Sequence, residues 1–535
     1  MSQNNQIDLS EYTIALISAL KSIKPQPIAD ELSKIEVSQT VSLFALIYEK
    51  MRNAVEFRDN HLILRAAIER ILKRRLAMNP NGQDEGENLI RELLWARYFD
   101  NGSFDKNHVA KIQRIIDTYI EIKKKLVINQ TSHLQKYLND YIFDLLTSEI
   151  EENLNLEKAK KQSSKTFYIY QVLRKKIKIE EVDELKKDVI FLSALEKVFR
   201  RSDCAYQRYH LFTTFYQPLS DYSKEELQKL IPKLPTIFKR IDEFIKNQYI
   251  DIISKFIKKN LPPFIILFEI LEKKIEEIES ILTNKEKLKN IVDIVCHEKY
   301  HQLSTKIRKL ALRAFIYIFL TKMIFALILE FPLSNYFYGS IDFKSIIINT
   351  LFPPILMTAI VLSIKIPGEE NTKRIFQRLV EIINKDENFE KTITLFTKKK
   401  KIKKPILIFT FTVFYSLTFL ITFSLIHEIL TQLNFNLISE LIFIFFVSVV
   451  TFFSYRIKQS VNELKLSEKE SFFTPLFDFF FMPILSLGKF LSQEISKLNF
   501  FIFIFDFIIE TPFKLLFEII EEWIFFIKKR KEEIV

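Results

Sequence analysis

Residues 406–430, ILIFTFTVFYSLTFLITFSLIHEIL, and residues 437–455, LISELIFIFFVSVVTFFSY, are two apolar runs that decide the fold of this chain. Two further runs of similar length precede them, at 311–331 and 345–366. An α-helix needs about 20 mostly apolar residues to cross the ~30 Å hydrocarbon core of a bilayer. Because lipid offers no hydrogen-bond partners to the backbone, such segments cross as helices. The four runs predict an all-α integral membrane protein with a transmembrane unit at 311–455.

Basic residues lie at one end of these runs. Five Lys and Arg residues stand between 299 and 313, eleven stand in the loop 367–405, and Arg456 and Lys458 follow the last run. The other two connections, 332–344 and 431–436, contain one lysine between them. Since short cytoplasmic loops carry the excess of Lys and Arg, the sequence predicts a multi-pass protein of the cytoplasmic membrane with both termini in the cytoplasm.

The basic loop also predicts a partner. A cation near an anionic membrane surface contributes about 1 kcal/mol of binding free energy. We therefore expect the net charge of +12 to face anionic lipid headgroups, and we expect no nucleic-acid partner. The residues predicted to contact headgroups are Lys398, Lys399, Lys400, Lys401, Lys403 and Lys404.

Glycine and cysteine are scarce. The chain has six glycines, whereas an average content of about 7% would give nearly forty. Phosphate-binding loops use glycine to let backbone N–H groups approach the ligand, and neither G-x-G-x-x-G nor a P-loop motif is present. The sequence thus argues against a Rossmann or P-loop nucleotide enzyme. Two cysteines are too few for a disulfide framework and are typical of a reducing compartment.

Residues 1–260 repeat apolar positions at helical spacing and predict a large helical cytosolic domain, with a subdivision near 158–165. The first residues lack the basic n-region of a secretory signal, so we expect this domain to stay in the cytosol. Ser220 or Ser223 is expected to cap the helix that follows Pro218. Residues 261–310 predict a helical stalk that leads into the membrane.

Residues 471–535 predict amphipathic, membrane-associated helices. Asp506, Glu510, Lys514, Glu518 and Glu522 recur every four residues and so form a narrow polar stripe on an apolar helix. This pattern favours a helix in the headgroup plane. The pattern is also typical of helices packed against the four spans, and the segments 472–488 and 499–527 could lie on, dip into or cross the membrane.

His297, Glu298 and His301 form an H-E-x-x-H motif that resembles the zincin metallopeptidase motif over these five residues. On a helix, the two histidines would be the zinc ligands and Glu298 would be the catalytic base. Against zinc, Lys299 puts a charge inside the motif, and the apolar stripe of this helix lies roughly opposite the histidines. We therefore expect a solvated helix and no cofactor, and keep zinc as the alternative.

Lys322 is near the middle of the first apolar run, where a charge is costly enough to require a partner or an aqueous cavity. Glu440, near the start of the fourth run, is the expected partner, while Glu330 and Glu428 are expected at the membrane surface. Pro353-Pro354 predicts a kink in the second run, or a broken helix of the kind that lines transporter sites.

Three functional hypotheses follow. The leading hypothesis is a membrane-anchored helical scaffold or interaction protein, not an enzyme, with a homo-oligomer or protein partner bound through the cytosolic domain. The first alternative is a membrane-tethered zinc hydrolase that uses His297, Glu298 and His301. The second alternative is a small oligomeric transporter or channel with Lys322 and Glu440 on a polar path.

Overall fold

The computed structural model describes residues 6–23, 34–56, 62–127, 131–179, 182–339, 343–384, 393–395, 405–466 and 474–497, with single residues between 516 and 531. The described chain is mostly helical, and four of its helices are long and apolar enough to cross a membrane. Both findings confirm the predicted helical class. The chain folds into two compact units, which we call the helical unit and the span unit.

The helical unit comprises the described residues of Glu11–Lys258, Thr392–Thr394 and Asn499–Val535. Two short strands, β1 (Ile177–Ile179) and β2 (Ile393–Leu395), pair with each other. The helices in chain order are α1 (Glu11–Ser22), α2 (Gln39–Glu56), α3 (Ile63–Met78), α4 (Glu85–Trp95), α5 (Lys106–Val127), α6 (Ser132–Leu154), α7 (Leu156–Leu173), α8 (Glu184–Leu195), α9 (Cys204–Phe215), α10 (Lys224–Leu230), α11 (Leu234–Ile245) and α12 (Ile250–Lys273).

Local sequence explains several of these boundaries. Ser223, one of the two predicted caps, caps α10. Its hydroxyl accepts from the Glu226 backbone N–H, and the Glu226 carboxylate accepts from the Ser223 backbone N–H, which is a capping box. Residues 158–165, where a subdivision was predicted, lie inside α7. One hydrophobic core joins α2–α6 with α8–α11, and Ile520 and Ile524 pack against it. These two residues of the predicted amphipathic tail therefore contact the core of the helical unit.

The span unit comprises the described residues of Met1–Ser10, Lys259–Lys391 and Leu395–Leu498. The boundary between the units falls within α12. The helices of the span unit after α12 are α13 (Ile278–Leu282), α14 (Lys285–Phe325), α15 (Phe331–Tyr338), α16 (Phe343–Leu362), α17 (Glu369–Ile383), α18 (Pro405–Gln432), α19 (Leu437–Asn462) and α20 (Thr474–Lys497).

The first span is longer than predicted. A π-helical turn, Ala326–Glu330, joins α14 to α15, so the helix runs without a break over Lys285–Tyr338. At ~1.5 Å per residue it is far longer than a bilayer core, and it includes much of the predicted stalk. The other candidate spans are Phe343–Leu362, Phe409–Gln432 and Leu437–Gln459.

The candidate spans pack as a bundle, and an apolar cluster lies near each of its two ends. One cluster contains Ile307 and Ala311 of α14, Val361 of α16 and Val450 and Val461 of α19. The other contains Leu430, Phe435, Phe443 and Val447 and lies by the connection between α18 and α19. We call these the basic end and the connection end, because Arg308, Arg313 and Arg456 stand beside the first cluster.

α20 packs along α19 and also contacts α18. At Gly488 the two helices approach so closely that a Cβ atom would overlap the Ser448 carbonyl oxygen and lie 2.8 Å from Phe452 Cβ. The Tyr415 hydroxyl lies 3.0 Å from the Ser486 hydroxyl. The described part of the C-terminal region therefore contains a helix packed against the predicted spans, which is the second of the two arrangements considered from the sequence.

The basic end of the bundle is joined to other segments through polar contacts. The Asn371 amide of α17 donates to Tyr300 Oη at 2.7 Å and to Leu464 O at 2.8 Å, and its carbonyl accepts from Leu466 N–H at 2.9 Å. Residues 6–10 also join this unit, because Ile7 N–H donates to Thr283 O and Ser10 N–H donates to Ile383 O. The first residues of the predicted 1–260 domain thus belong to the span unit.

Candidate functional site

The π-helical turn in the first span places Lys322 and Glu330 on one face. Residues eight apart on an unbroken α-helix differ by about 80° around the axis. The Phe331 N–H bonds to Ala326 O, five residues back, so the turn takes up one extra residue. That extra residue brings Glu330 to within about 20° of Lys322, two turns away. The turn is therefore what allows these two side chains to meet.

Lys322 and Glu330 form an ion pair inside the bundle. The Lys322 Nζ–Glu330 Oε2 distance is 3.6 Å, and both side chains are 0% exposed. The other carboxylate oxygen, Oε1, accepts a 2.6 Å hydrogen bond from the Asn349 amide of α16. The ammonium also lies 4.6 Å from the centroid of the Phe446 ring of α19, within cation–π range.

This polar cluster is incompletely satisfied. Among the described residues, four of its buried atoms have no hydrogen-bond partner: Lys322 Nζ, Glu330 Oε2, Asn349 Oδ1 and Ser439 Oγ. Each unsatisfied buried group costs about 1–3 kcal/mol, and a charged one costs more. Unpaired buried atoms are rare in folded proteins, so four in one cluster require a functional or structural reason.

The cluster connects to the surface at the connection end. Asn349 Nδ2 also donates to Ser439 O at 3.0 Å, and Ser439 N–H donates to Asn436 Oδ1 at 2.8 Å. Asn436 is half-buried, lies in the connection between α18 and α19, and donates to Ser334 Oγ at 3.0 Å. A chain of hydrogen-bonded polar groups therefore runs from the connection end of the bundle to Glu330, the partner of Lys322.

The predicted partner of Lys322 is wrong. The sequence pointed to Glu440 as its partner and placed Glu330 at the membrane surface, whereas the structure buries Glu330 beside Lys322. Glu440 instead accepts from His427 Nδ1 of α18, at 2.8 Å. The sequence placed Glu330 at the membrane surface because it lies at the end of the first apolar run, and the sequence did not reveal the π-helical turn that brings it beside Lys322. Both prolines of Pro353-Pro354 lie inside the single helix α16, which is not broken there.

The H-E-x-x-H motif lies on the part of α14 before the first span. His297, Glu298 and His301 are all exposed, and Glu298 Oε2 is 2.5 Å from Lys273 Nζ. Lys299 pairs with Glu269 at 2.6 Å. Throughout the described part of the chain, no three His, Cys, Asp or Glu side chains are grouped as metal ligands would be. The two histidines could still supply two ligands, and the zinc alternative stays a prediction.

The predicted headgroup-binding cluster lies outside the described residues. It comprises Lys398, Lys399, Lys400, Lys401, Lys403 and Lys404. Other basic residues predicted to flank the spans are described, and Arg308, Arg313, Arg456 and Lys458 are exposed.

The helical unit contains a cavity of about 360 Å³ that the sequence did not reveal. Two of its walls come from α6 and α9, and a third comes from the π-helical turn Glu196–Arg200 after α8. Residues that line it and carry charge or hydrogen-bonding groups include Glu151, Glu152, Lys158, Arg200, Tyr206 and His210. Its volume lies in the range of small-molecule sites, and its lining is unusually polar for one.

His210 is the centre of the cavity's electrostatics. Its Nδ1 lies 2.7 Å from Glu196 Oε2 and its Nε2 lies 2.8 Å from Glu152 Oε1. Burial disfavours the imidazolium and so does Arg200, but the two carboxylates outweigh both and raise the pKa of His210. Burial alone would raise the pKa of Glu196, yet His210 and Arg200 lower it to about 2. The geometry thus favours a protonated His210 held between two carboxylates.

His210 is buried. The feature that the sequence did not reveal is the pair of carboxylates that contact it, Glu152 of α6 and Glu196 of the π-helical turn after α8. The meeting of these three side chains could not be identified without the tertiary structure.

The chain was compared with protein-family models, with curated proteins and with solved structures, and none of them matches it.

Proposed function

We propose that this protein is a multi-pass membrane protein that anchors a helical interaction domain at the cytoplasmic face of the cytoplasmic membrane. The observation that carries the proposal is the contrast between the two units. In the most apolar stretch of each candidate span, most side chains face outward, whereas the helical unit encloses its own hydrophobic core. Outward-facing apolar side chains suit lipid, and a closed core suits water.

The orientation is supported by the packing of the bundle. Exposed Arg308, Arg313 and Arg456 stand at the basic end, together with α17 of the predicted cytoplasmic loop. The connection end carries Gly339, which follows α15, and the short link at 433–436. With basic residues retained in the cytoplasm, both termini are cytoplasmic.

An accessibility experiment tests the anchoring and the orientation. Cys204 and Cys296 are replaced by serine, and a single cysteine is placed at exposed Asn434 or, as the matched control, at exposed Lys306. In intact cells, a membrane-impermeant maleimide should label Asn434→Cys, while Lys306→Cys should react only after lysis. Release of the protein from membranes by alkaline carbonate would contradict anchoring, and the reverse labelling pattern would contradict the orientation.

The interaction role has its own test. The tagged full chain is cross-linked in native membranes, solubilised and analysed for partners and for copies of itself. We expect specific recovery of a partner or a homo-oligomer through the helical unit. Recovery of lipid alone would refute the scaffold role. The zinc hydrolase and the transporter or channel stay alternatives.

A further inference from the structure

The polar cluster of the first span is more than a fortuitous ion pair. A charged side chain in the centre of a bilayer is costly to insert. The Glu330 carboxylate offsets part of this cost for Lys322, but its nearest oxygen is 3.6 Å from Lys322 Nζ, which is too far for a hydrogen bond. A purely structural ion pair needs good geometry and satisfied partners to offset its desolvation, whereas the two atoms that face each other here, Lys322 Nζ and Glu330 Oε2, have no hydrogen-bond partner among the described residues.

The arrangement is instead suited to hold a proton. Glu330 Oε1 is fixed by Asn349, while Oε2 faces Lys322 and has no hydrogen-bond partner within the described residues. A proton can therefore reside on Lys322 Nζ, as an ion pair, or on Glu330 Oε2, as a neutral amine and carboxylic acid. The two forms have the same net charge, so transfer between them requires no additional charge in the apolar interior.

A chain of polar contacts leads from the pair toward the connection end. The Asn349 amide donates to the backbone carbonyl of Ser439, and the backbone N–H of Ser439 donates to Asn436 in the connection between α18 and α19. Toward the basic end, the helices pack through the apolar cluster around Ala311, Met357 and Val450. The polar groups available to bind water beside the pair therefore lie on its connection-end side.

The other charged residues of the helices that pack against the pair lie toward the two ends of the bundle. Helices α16 and α19 pack against the first span, and their described charged residues at the connection end are Lys344 and Glu440. Lys344 is exposed, and Glu440 pairs with His427. The other charged residues of α19, Arg456 and Lys458, lie at the basic end.

We propose that Lys322 and Glu330 form a proton-binding site inside the span unit, and that water entering from the connection end beside Asn349, Ser439 and Asn436 carries protons to and from this site. In uptake, a proton from water binds Glu330 Oε2 and converts the carboxylate to a carboxylic acid, so the pair then carries one net positive charge, on Lys322 Nζ beside the Phe446 ring. In release, the same proton returns to water. The proposal does not depend on the anchoring role.

Infrared difference spectroscopy of the full chain in lipid vesicles tests the site. On acidification we expect the carbonyl band of a protonated carboxylic acid to grow, and to shift when H₂O is replaced by D₂O. Glu330→Gln should lose this band, whereas the matched control Glu440→Gln should keep it. Lys322→Gln removes the cation, so the band should already be present at neutral pH.

The access of water has a separate readout. Asn349→Leu removes the amide that bonds both Glu330 and the Ser439 carbonyl, so it should retain the band and slow its exchange with D₂O. A band that depends on Glu330 but never exchanges would identify a sealed structural pair and overturn the proposal. Absence of any Glu330-dependent band while the wild type stays folded would do the same. If Glu330→Gln fails to fold, the comparison of wild type with Lys322→Gln decides the question.

Discussion

Replacement of Gly488 by alanine should separate α20 from α19. A Cβ atom at this position would lie 2.7 Å from the Ser448 carbonyl carbon and 2.8 Å from Phe452 Cβ, whereas ordinary contact begins at 3.4 Å. The Ser448 carbonyl oxygen would lie only 2.0 Å from this Cβ, so reaching ordinary contact requires a separation of about 1.4 Å more. The obstacle at Ser448 is backbone, so rotation of a side chain cannot relieve it. Overpacking of this kind costs about 1–3 kcal/mol.

Thermal unfolding of the purified full chain in detergent, followed by circular dichroism, measures the effect. Gly368→Ala is the matched control, because a Cβ there meets nothing within 4 Å and its φ is −122°. We expect Gly488→Ala to melt below both the wild type and Gly368→Ala.

The outcome also decides where α20 lies. If Gly488→Ala and Gly368→Ala melted together, close packing of α20 on α19 would be refuted. A helix in the headgroup plane, the arrangement favoured by the sequence pattern, would then be supported. A loss of stability confined to Gly488→Ala would support a helix packed against the spans.

Three further predictions concern other parts of the chain. Asn371→Ala removes three hydrogen bonds at the basic end, so it should destabilise the span unit by about 2–4 kcal/mol. Thermal unfolding measures this loss against the exposed control Asn290→Ala. Equal melting temperatures of the two variants would argue against the hydrogen bonds of Asn371. The lowered pKa of Glu196, about 2 against 4.5, means that its carboxylate stabilises the folded state above pH 4.5, and that this stability is lost as the pH falls toward 2. The loss is on the order of 3 kcal/mol. Hydrogen exchange of α6 and α9 should show this acid-dependent loss of stability in the wild type and in exposed Glu225→Gln, but not in Glu196→Gln. If Glu196→Gln lost stability with falling pH as the wild type does, the assignment to Glu196 would be contradicted. Because His297 and His301 are exposed and Glu298 is paired with Lys273, the wild type and His297→Ala should contain equally substoichiometric zinc; near-stoichiometric metal lost in His297→Ala would establish the zinc alternative.

The polar sites show where sequence analysis reaches its limit. The cost of a charge in lipid made Lys322 conspicuous in the sequence, because that argument depends only on hydropathy and position. Which residue pairs with Lys322 depends on the direction in which the helix presents the side chain eight residues later. A single π-helical turn changes that direction, and no residue pattern in 322–330 signals it.

The cavity in the helical unit illustrates the same limit at longer range. Glu152 and Glu196 approach His210 from segments 58 and 14 residues away in the chain. Helical periodicity places each residue on a face of its own helix, but it does not say which faces meet. Charge compensation around a buried histidine is therefore visible only after the helices have packed.

By itself, the sequence determined that the chain is helical and has four segments able to cross a membrane, because both properties follow from local hydrophobicity, length and glycine content. The tertiary structure decided which side chains meet. It brought residues 6–10 to the span unit, set α20 against α19 at Gly488 and paired Lys322 with Glu330. Each of these contacts depends on the relative placement of segments, or on a local change of helix phase, and a regular sequence period contains neither.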